Sequence, residues 1–595
     1  MQKKLPTINN AHGSDTRNII NEVINVINDR GLEILSEEGF LQWLEQNKIK
    51  IEGTVQSVSD LPSNSPINTV YGVLDDNKLY IRKNGKWEAY QTIDLNPLNE
   101  IDERLGSNLE QRGINIAQPP FNLSPDGVTD DTPVFQQAID YLQSIGGGKL
   151  VVPKMPNPYT MIADSPTIQN PKRVLITSND IHIEGVGKPT INMKGITKTY
   201  IDSIDDKSSS GRDVFTAFSF MRSKNSSIKS IVINGEWDGS GVFRYDSPRA
   251  KGVGFVGTEN CVAEDLEGTG ILGNLVNATP SDFTIDGVYQ PLYSVKVKDC
   301  IAIRCLENGF NFMGNTFDCS IEGSSATLCG SCGFEGGGED LTATNNTFTK
   351  NKIAGIATGA KRYHLKNNFC MDNNSADGNI KAVGIQLGEN GIDGIVDGNI
   401  IHGNESFGIN LYPGATKIKI QNNNLKDNAT SADILQTINM VGTSTKKIQS
   451  IEFKNNTIEN NLSHISYVCM LSNVENSTIK DNVINTTAGS SVSVQGTCNN
   501  VAVIDNKVNA PINISINANG SYAHNNLGVS PKTSESMYAP TSGDYKIGDY
   551  VTNTSPTVRG SVGSKYILKG WIRITDGNAH VIGVDWYEDK IITGT

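Results

Sequence analysis

Asp126-Gly127-Val128-Thr129-Asp130-Asp131-Thr132-Pro133, a short amphipathic segment, and then Gly146-Gly147-Gly148-Lys149-Leu150-Val151-Val152-Pro153 form the stretch that decides the fold. Thr132 is placed to cap a helix whose first position is Pro133, where a missing N–H costs nothing, and Phe135, Ala138, Ile139 and Leu142 then share one face. The three glycines end the helix. Leu150, Val151 and Val152, bounded by Gly and Pro, read as a buried strand. A cap, a one-sided helix, a glycine stop and a strand, lying upstream of a long strand-rich region, predict a lid over one end of a stack.

That region, residues 150 to 527, is repetitive. An Asn followed two residues later by an apolar or small side chain recurs at Asn346, Asn368, Asn399, Asn423, Asn456, Asn482, Asn506 and Asn526, at intervals of roughly 20 to 33 residues, the range of solenoid units. A second motif, Gly followed by an apolar residue, recurs at Gly309-Phe310, Gly333-Phe334, Gly355-Ile356, Gly384-Ile385 and Gly408-Ile409. Two motifs with one period predict parallel coils. Asparagines then stack as hydrogen-bonded ladders at the corners, and Phe310, Phe334, Ile356, Ile385 and Ile409 stack inside.

The opening stretch resembles the start of the pectate-lyase-like right-handed parallel β-helix of phage tail spikes, whose signature runs G-D-G-x-x-D-D-T, helix, G-G-G, strand, Pro. Asp126-Gly127, Asp130-Asp131-Thr132, Gly146 to Gly148 and Pro153 match it; Ser124-Pro125 stands where the family often has another glycine. The fold class expected is therefore mainly β, a right-handed single-stranded parallel β-helix with an N-terminal helical and β attachment region and a small C-terminal β domain. The resemblance implies a homotrimeric tail spike or appendage, as in small podoviruses of Gram-positive hosts. The abundant Asn, Ile and Lys fit an AT-rich genome of that kind.

The chain divides accordingly. Residues 1–50 are a polar tail and helices, with Ile20, Val23 and Ile27 on a stripe that suits either a short trimeric coil or a surface helix. Residues 51–97 form a small β module, whose clearest hairpin turns at Asn84-Gly85 between Leu79-Tyr80-Ile81 and Trp87. Its expected use is attachment to phage tail or collar proteins; the competing reading is a sugar-binding module presenting Tyr80 and Trp87. Residues 98–118 read as a helical neck, 119–528 as the β-helix with its lid, and 529–595 as a C-terminal β domain in which Trp571 and Trp586 are core or interface residues.

Composition narrows the function. Of 595 residues, 37% are hydrophobic and 58 are glycine, which a stack with a thin core strip per layer tolerates. A formal charge of −13 argues against a nucleic-acid binder. No apolar run approaches membrane-spanning length, and Met1-Gln-Lys-Lys-Leu-Pro has no apolar segment behind it, so synthesis in a cytoplasm is expected; that this is the host's, and that the protein resides in the virion, is what the resemblance implies. The nine cysteines, including Cys329-Gly-Ser-Cys332, lack paired metal-site spacing and are read as buried and reduced. Asp372 to Gly378 lacks the distal glutamate of a calcium loop. Neither cofactor nor metal is expected.

Alternation along the Gly-apolar strands turns Asn311, Glu335, Ala357, Gln386 and Asn410 outward as a polar track suited to a polymer. Beside it, Glu335-Gly336-Gly337-Gly338-Glu339-Asp340 is the densest catalytic candidate, with Lys361, Arg362 and His364 one rung on. Paired carboxylates supply the proton donor and the charge or base that cleavage of a glycosidic bond requires, and the cations also suit a phosphodiester. A second candidate is Glu236 and Asp238 with Trp237 as a sugar platform, near Arg244, Asp246 and Arg249; a third is Asp282 and Asp286. The polygalacturonase residue set is absent. The substrate expected is a host-surface glycan or wall teichoic acid, bound and cleaved during adsorption; the alternatives are an adhesin using the same groove only to bind, and a cellular polysaccharide lyase or hydrolase.

Overall fold

The structure is a computed structural model that describes residues 50–92 and 113–594, apart from 164–170, 204–212, 241–248, 282–288, 376–380, 527–532 and a few single positions. The stripe at Ile20, Val23 and Ile27, the region of the expected neck up to residue 112, Arg244, Asp246, Asp282 and Asp286 all lie outside the described residues. The chain falls into two units, 1–111 and 112–595.

In the first unit, Lys50–Val55, Thr69–Val73, Lys78–Lys83 and Lys86–Thr92 form a four-stranded sheet in sequence order. Asn84 and Gly85 take φ of 49° and 79°, the pair of left-handed residues that a two-residue hairpin needs. Trp87 is held on site: its indole N–H donates to the Pro62 carbonyl at 3.1 Å, and its ring meets Tyr71 edge-on at 5.6 Å.

The second unit is a right-handed parallel β-helix. Each coil contributes one strand to each of three parallel sheets; the first coil supplies Gly148–Pro153, Tyr159–Ile162 and Lys172–Ile176 to the first, second and third sheet respectively. Phe310, Phe334, Ile356, Ile385 and Ile409 pair in register along the third sheet and are fully buried, as the Gly-apolar motif predicts. Burying one such side chain stabilises the fold by roughly 1.5–3 kcal/mol.

The helix under the first coil spans Thr132–Ser144, with Phe135, Ala138, Ile139 and Leu142 inward. Its cap differs from expectation. Asp131, not Thr132, is the N-cap, and Pro133 enters one position later. The Thr132 hydroxyl donates instead to Asp130 at 2.6 Å, and both aspartates also bond to the first coil. Asp131 accepts from the Thr160 amide at 2.8 Å, while Asp130 accepts from the Ile162 amide at 3.0 Å and pairs with Lys172 at 2.6 Å. They stitch the lid to the first coil. Upstream, Ile114–Asn115 adds a short strand beside Leu150 and Val151.

The asparagine ladder stands at the corner between the first and second sheets. Asn399 shows its economy: its amide N–H and Nδ2 both donate to Asn423 Oδ1, at 2.9 Å each, Nδ2 also reaches the Leu365 carbonyl, and its own Oδ1 accepts from Asn368. Before the ladder residues, Asn345, Asn367, Asn422, Asn455, Asp481, Asp505 and Asn525 take φ of 52° to 58°. Asn and Asp tolerate that left-handed bend, which is why the motif reads as an Asn or Asp followed by Asn. A second ladder, Asn351, Asn373, Asn404 and Asn428, occupies the corner between the second and third sheets. Cys305 and Cys329 continue its column upstream. All nine cysteines are free and buried, as read from their spacing.

At the C-terminal end, Thr533–Ser536, Tyr550–Asn553, Val558–Arg559, Lys565–Arg573 and Trp586–Gly594 form a separate five-stranded sheet. Trp571 and Trp586 lie in its core with Val551 and Leu568, and the buried Arg573 guanidinium sits 5.2 Å from the Trp586 ring centre. They offer no sugar platform.

Candidate functional site

Register along the third sheet places Asn277, Asn311, Glu335, Ala357, Gln386, Asn410 and Asn439 in one outward row. The row is less open than its polarity suggests. Asn311 is buried and donates to Asn277 at 2.9 Å; Asn410 is buried and accepts from Asn439 at 2.8 Å. One bond of each of these two amides runs along the stack, while the Asn311 Oδ1 is buried with no partner among the described residues. Glu335 and Gln386 are half-buried, and Glu335 accepts from Asn308 Nδ2 at 2.8 Å.

Beyond Glu335 the chain turns from the third sheet toward the first. Gly338 makes that turn possible: its φ is 82°, and a Cβ there would sit 2.0 Å from the Thr316 carbonyl oxygen. The turn opens a cleft of about 520 Å³ lined by Glu335, Gly336 to Gly338, Glu339, Lys361, Phe317 and Met313 among others. Glu335, Glu339 and Lys361, three residues chosen from the sequence, are thus brought to one cavity.

The carboxylates differ in surroundings. Glu339 accepts from Arg362 Nη2 at 2.8 Å and pairs with Lys361 at 3.3 Å, and these bonds, Arg362 foremost, hold its carboxyl below the ordinary range. Asp340, with a φ of 58° at the corner, is taken up by a two-point bond to Arg362 and is absent from the cleft lining. His364 begins the next strand of the first sheet, past the corner.

The sequence reading missed Glu307. It lies at the corner before the strand Phe310–Phe312, only 4% exposed, with Arg249 Nε and Asn274 Nδ2 each 2.9 Å from Oε2. Burial raises its carboxyl to about 7; Arg249 and Lys251 oppose the shift, and the Glu335 charge adds to it. Asn308, the next residue, is the group that holds Glu335. The available signal was a lone acid in the otherwise uncharged stretch from Cys305 to Phe312.

Glu236, Trp237 and Asp238 lie on the other side of the third sheet, in the corner that precedes it. Trp237 is 4% exposed, packs in the β-helix core, and donates its indole N–H to the Ser240 carbonyl at 2.6 Å. As a stacking platform it is ruled out by burial. Glu236 accepts from the Gly195 amide of the preceding coil at 2.9 Å, and Asp238 from the Ser240 amide of its own turn at 2.8 Å. Their sheet strand, Arg249–Val256, is three rungs from that of Glu335, about 14 Å along the stack. The two candidate groups do not form one site. Among the described residues no group of three or more His, Cys, Asp or Glu side chains is arranged to hold a metal ion, and no helix is long and apolar enough to cross a membrane.

No family model and no curated protein matches the chain. Among solved structures, a tailspike protein variant of E. coli bacteriophage HK620, in complex with pentasaccharide, matches with a TM-score of 0.50 at 13% identity, over 86% of this chain and 95% of that one. This chain shares the parallel β-helix fold of a phage tailspike. Two further similar structures are the A-module of Azotobacter vinelandii mannuronan C-5 epimerase AlgE4, with a TM-score of 0.48 and 16% identity over 70% of this chain and 100% of that one, and the Dettilon tailspike protein, with a TM-score of 0.38 and 14% identity over 80% and 81%. At these identities the likeness concerns the tailspike fold alone, and the chemistry must be argued from the side chains.

Proposed function

We propose that the chain is a homotrimeric virion tail appendage whose β-helix binds and cleaves a host-surface polymer, a polysaccharide or a wall teichoic acid, in the cleft between Glu335 and Glu339. The observation that carries this reading is that two carboxyl groups line one cleft in different surroundings. Lys361 and Arg362 keep Glu339 ionised, whereas Glu335 is held by the amide of Asn308 and has no cation bonded to it among the described residues, so the roles of base and acid are assigned in that order.

For a glycosidic bond, Glu335 gives its proton to the leaving oxygen as the C–O bond breaks. Glu339 faces the developing positive charge and takes a proton from the water whose oxygen joins the anomeric carbon. Lys361, at the cleft wall, offers a cation to any anionic group on the polymer. The exposed Tyr587 and Ile591, on one face of the last strand of the C-terminal sheet, and Ile592 on the other, support self-association there, because exposed apolar side chains of that size are costly to leave in water. Attachment to the tail or collar is assigned to the N-terminal region.

Purified protein incubated with host cell walls, and separately with isolated teichoic acid, should release soluble fragments. Glu335→Gln and Glu339→Gln should each abolish release while retaining binding. Unchanged release from both would remove the cleft from consideration, and tight binding with no fragments from any fraction would establish the adhesin instead. Light scattering should return the mass of a trimer; a monomer contradicts the assembly.

A further inference from the structure

The column that carries Glu339 and Lys361 continues upstream as an aromatic step. Leu292–Tyr293 pairs in parallel with Thr316–Phe317, Tyr293 opposite Phe317, and Phe317 is bridged to Glu339 as Glu339 is to Lys361. Tyr293, Phe317, Glu339 and Lys361 therefore follow one another along one corner, about 4.8 Å per rung. The two rings stack, with centroids 5.1 Å apart and planes inclined by 21°. Tyr293 is 43% exposed, and Phe317 lines the cleft.

The opposite side of the cleft is kept low by glycine. A Cβ on Gly359 would meet nothing within 4 Å, and one on Gly337 nothing nearer than 3.6 Å; neither residue takes the left-handed φ that favours glycine. Neither backbone nor packing demands glycine at these two positions. What their missing side chains do is leave room beside Phe317 and Glu339.

We infer that Tyr293 and Phe317 form a stacking subsite for a pyranose ring, so that the polymer presents ring sugars to Glu339 and is not an unsubstituted polyol phosphate. The C–H face of a pyranose carries partial positive charge that suits the negative face of an aromatic ring, and burying that face removes apolar surface from water. An open-chain glycerol phosphate has no such face. A pocket with an aromatic wall and few converging polar groups is how sugar orientation is set. The inference rests on the cleft being the polymer site.

The test is binding of the full chain to immobilised pyranosyl oligosaccharides of the host surface and to synthetic oligo(glycerol phosphate). Wild type should retain the pyranosyl probes only. Tyr293→Ala and Phe317→Leu should each weaken retention about fivefold to tenfold, Tyr293→Phe should keep it, and Gly359→Trp, whose Cβ would enter open space, should abolish it, with the melting temperature measured alongside as the control for folding. Pyranosyl binding unaffected by Tyr293→Ala, or oligo(glycerol phosphate) bound as tightly, overturns the subsite and leaves the glycan-binding reading intact. Retention lost in Tyr293→Phe as well refutes ring stacking. Binding of neither probe by wild type overturns both the subsite and the reading beneath it.

Discussion

Arg362 grips Asp340 across one rung of the stack with two hydrogen bonds, Nε to Oδ1 at 2.7 Å and Nη2 to Oδ2 at 2.8 Å, while the same Nη2 reaches Glu339 at 2.8 Å. One guanidinium thus ties the turn residue Asp340 to the cleft residue Glu339. The planar fork of arginine allows the two-point grip on Asp340 together with the bond to Glu339.

Removing that cation has a signed consequence. Arg362 is the largest cause of the lowered Glu339 carboxyl, so in Arg362→Ala the group protonates at higher pH than in wild type. If Glu339 must be ionised for cleavage, the acid limb of the pH–rate profile moves upward. Fragment release measured from pH 3 to pH 8 should show that displacement with little change on the alkaline side. An unmoved acid limb would mean that Glu339 is not the titrating base.

Glu307 makes a separate prediction about stability. Its folded carboxyl is raised from 4.5 to about 7, so between these values the native state holds a proton that the unfolded chain releases. Stability from this group is full below pH 4.5 and is lost as pH rises toward 7, on the order of 3 kcal/mol in all. Glu307→Gln keeps the hydrogen-bonding shape and removes the proton equilibrium. Denaturant titrations of wild type against the variant should differ in slope with pH across this window and run parallel above it.

The asparagine ladder is load-sharing, and its weakest point is its middle. In Asn399→Ala the Asn423 Oδ1 keeps its backbone donor but loses Nδ2, the Leu365 carbonyl loses a donor, and the Asn368 amide N–H and Nδ2 both lose their acceptor. Leaving buried polar groups unpaired costs about 1–3 kcal/mol each. Asn526→Ala, at the partly buried last rung, should cost less. Thermal unfolding of the two variants checks the order; equal losses would show that the ladder is not cooperative along its length.

Much of the stack was legible from the chain because its physics repeats. Glycine before an apolar residue, and a left-handed Asn or Asp before a buried Asn, recur along the stack, so Phe334 and Asn423 announce their places without any knowledge of neighbours. Parity along a strand also set Glu335 outward and Phe334 inward. The lid helix was found from its stripe, although the cap fell to Asp131, which also accepts the Thr160 amide of the first coil.

The chemistry was less legible, for a reason that lies in the unequal lengths of the coils. Ladder neighbours are separated by as few as 20 and as many as 33 residues, so rung partners outside the motifs cannot be counted off. Tyr293 and Phe317 gave no hint of standing in line with Glu339. Trp237 resembled a platform in the chain and proved to be core, because burial depends on what covers a side chain. Sequence by itself determined the coil, its corners and the direction of each repeated side chain, since these follow from local backbone preference and strand parity. Only the tertiary structure decided which acids are held charged and which hold a proton, because that turns on cations and buried walls brought in from other rungs: Arg249 at Glu307, Arg362 at Glu339.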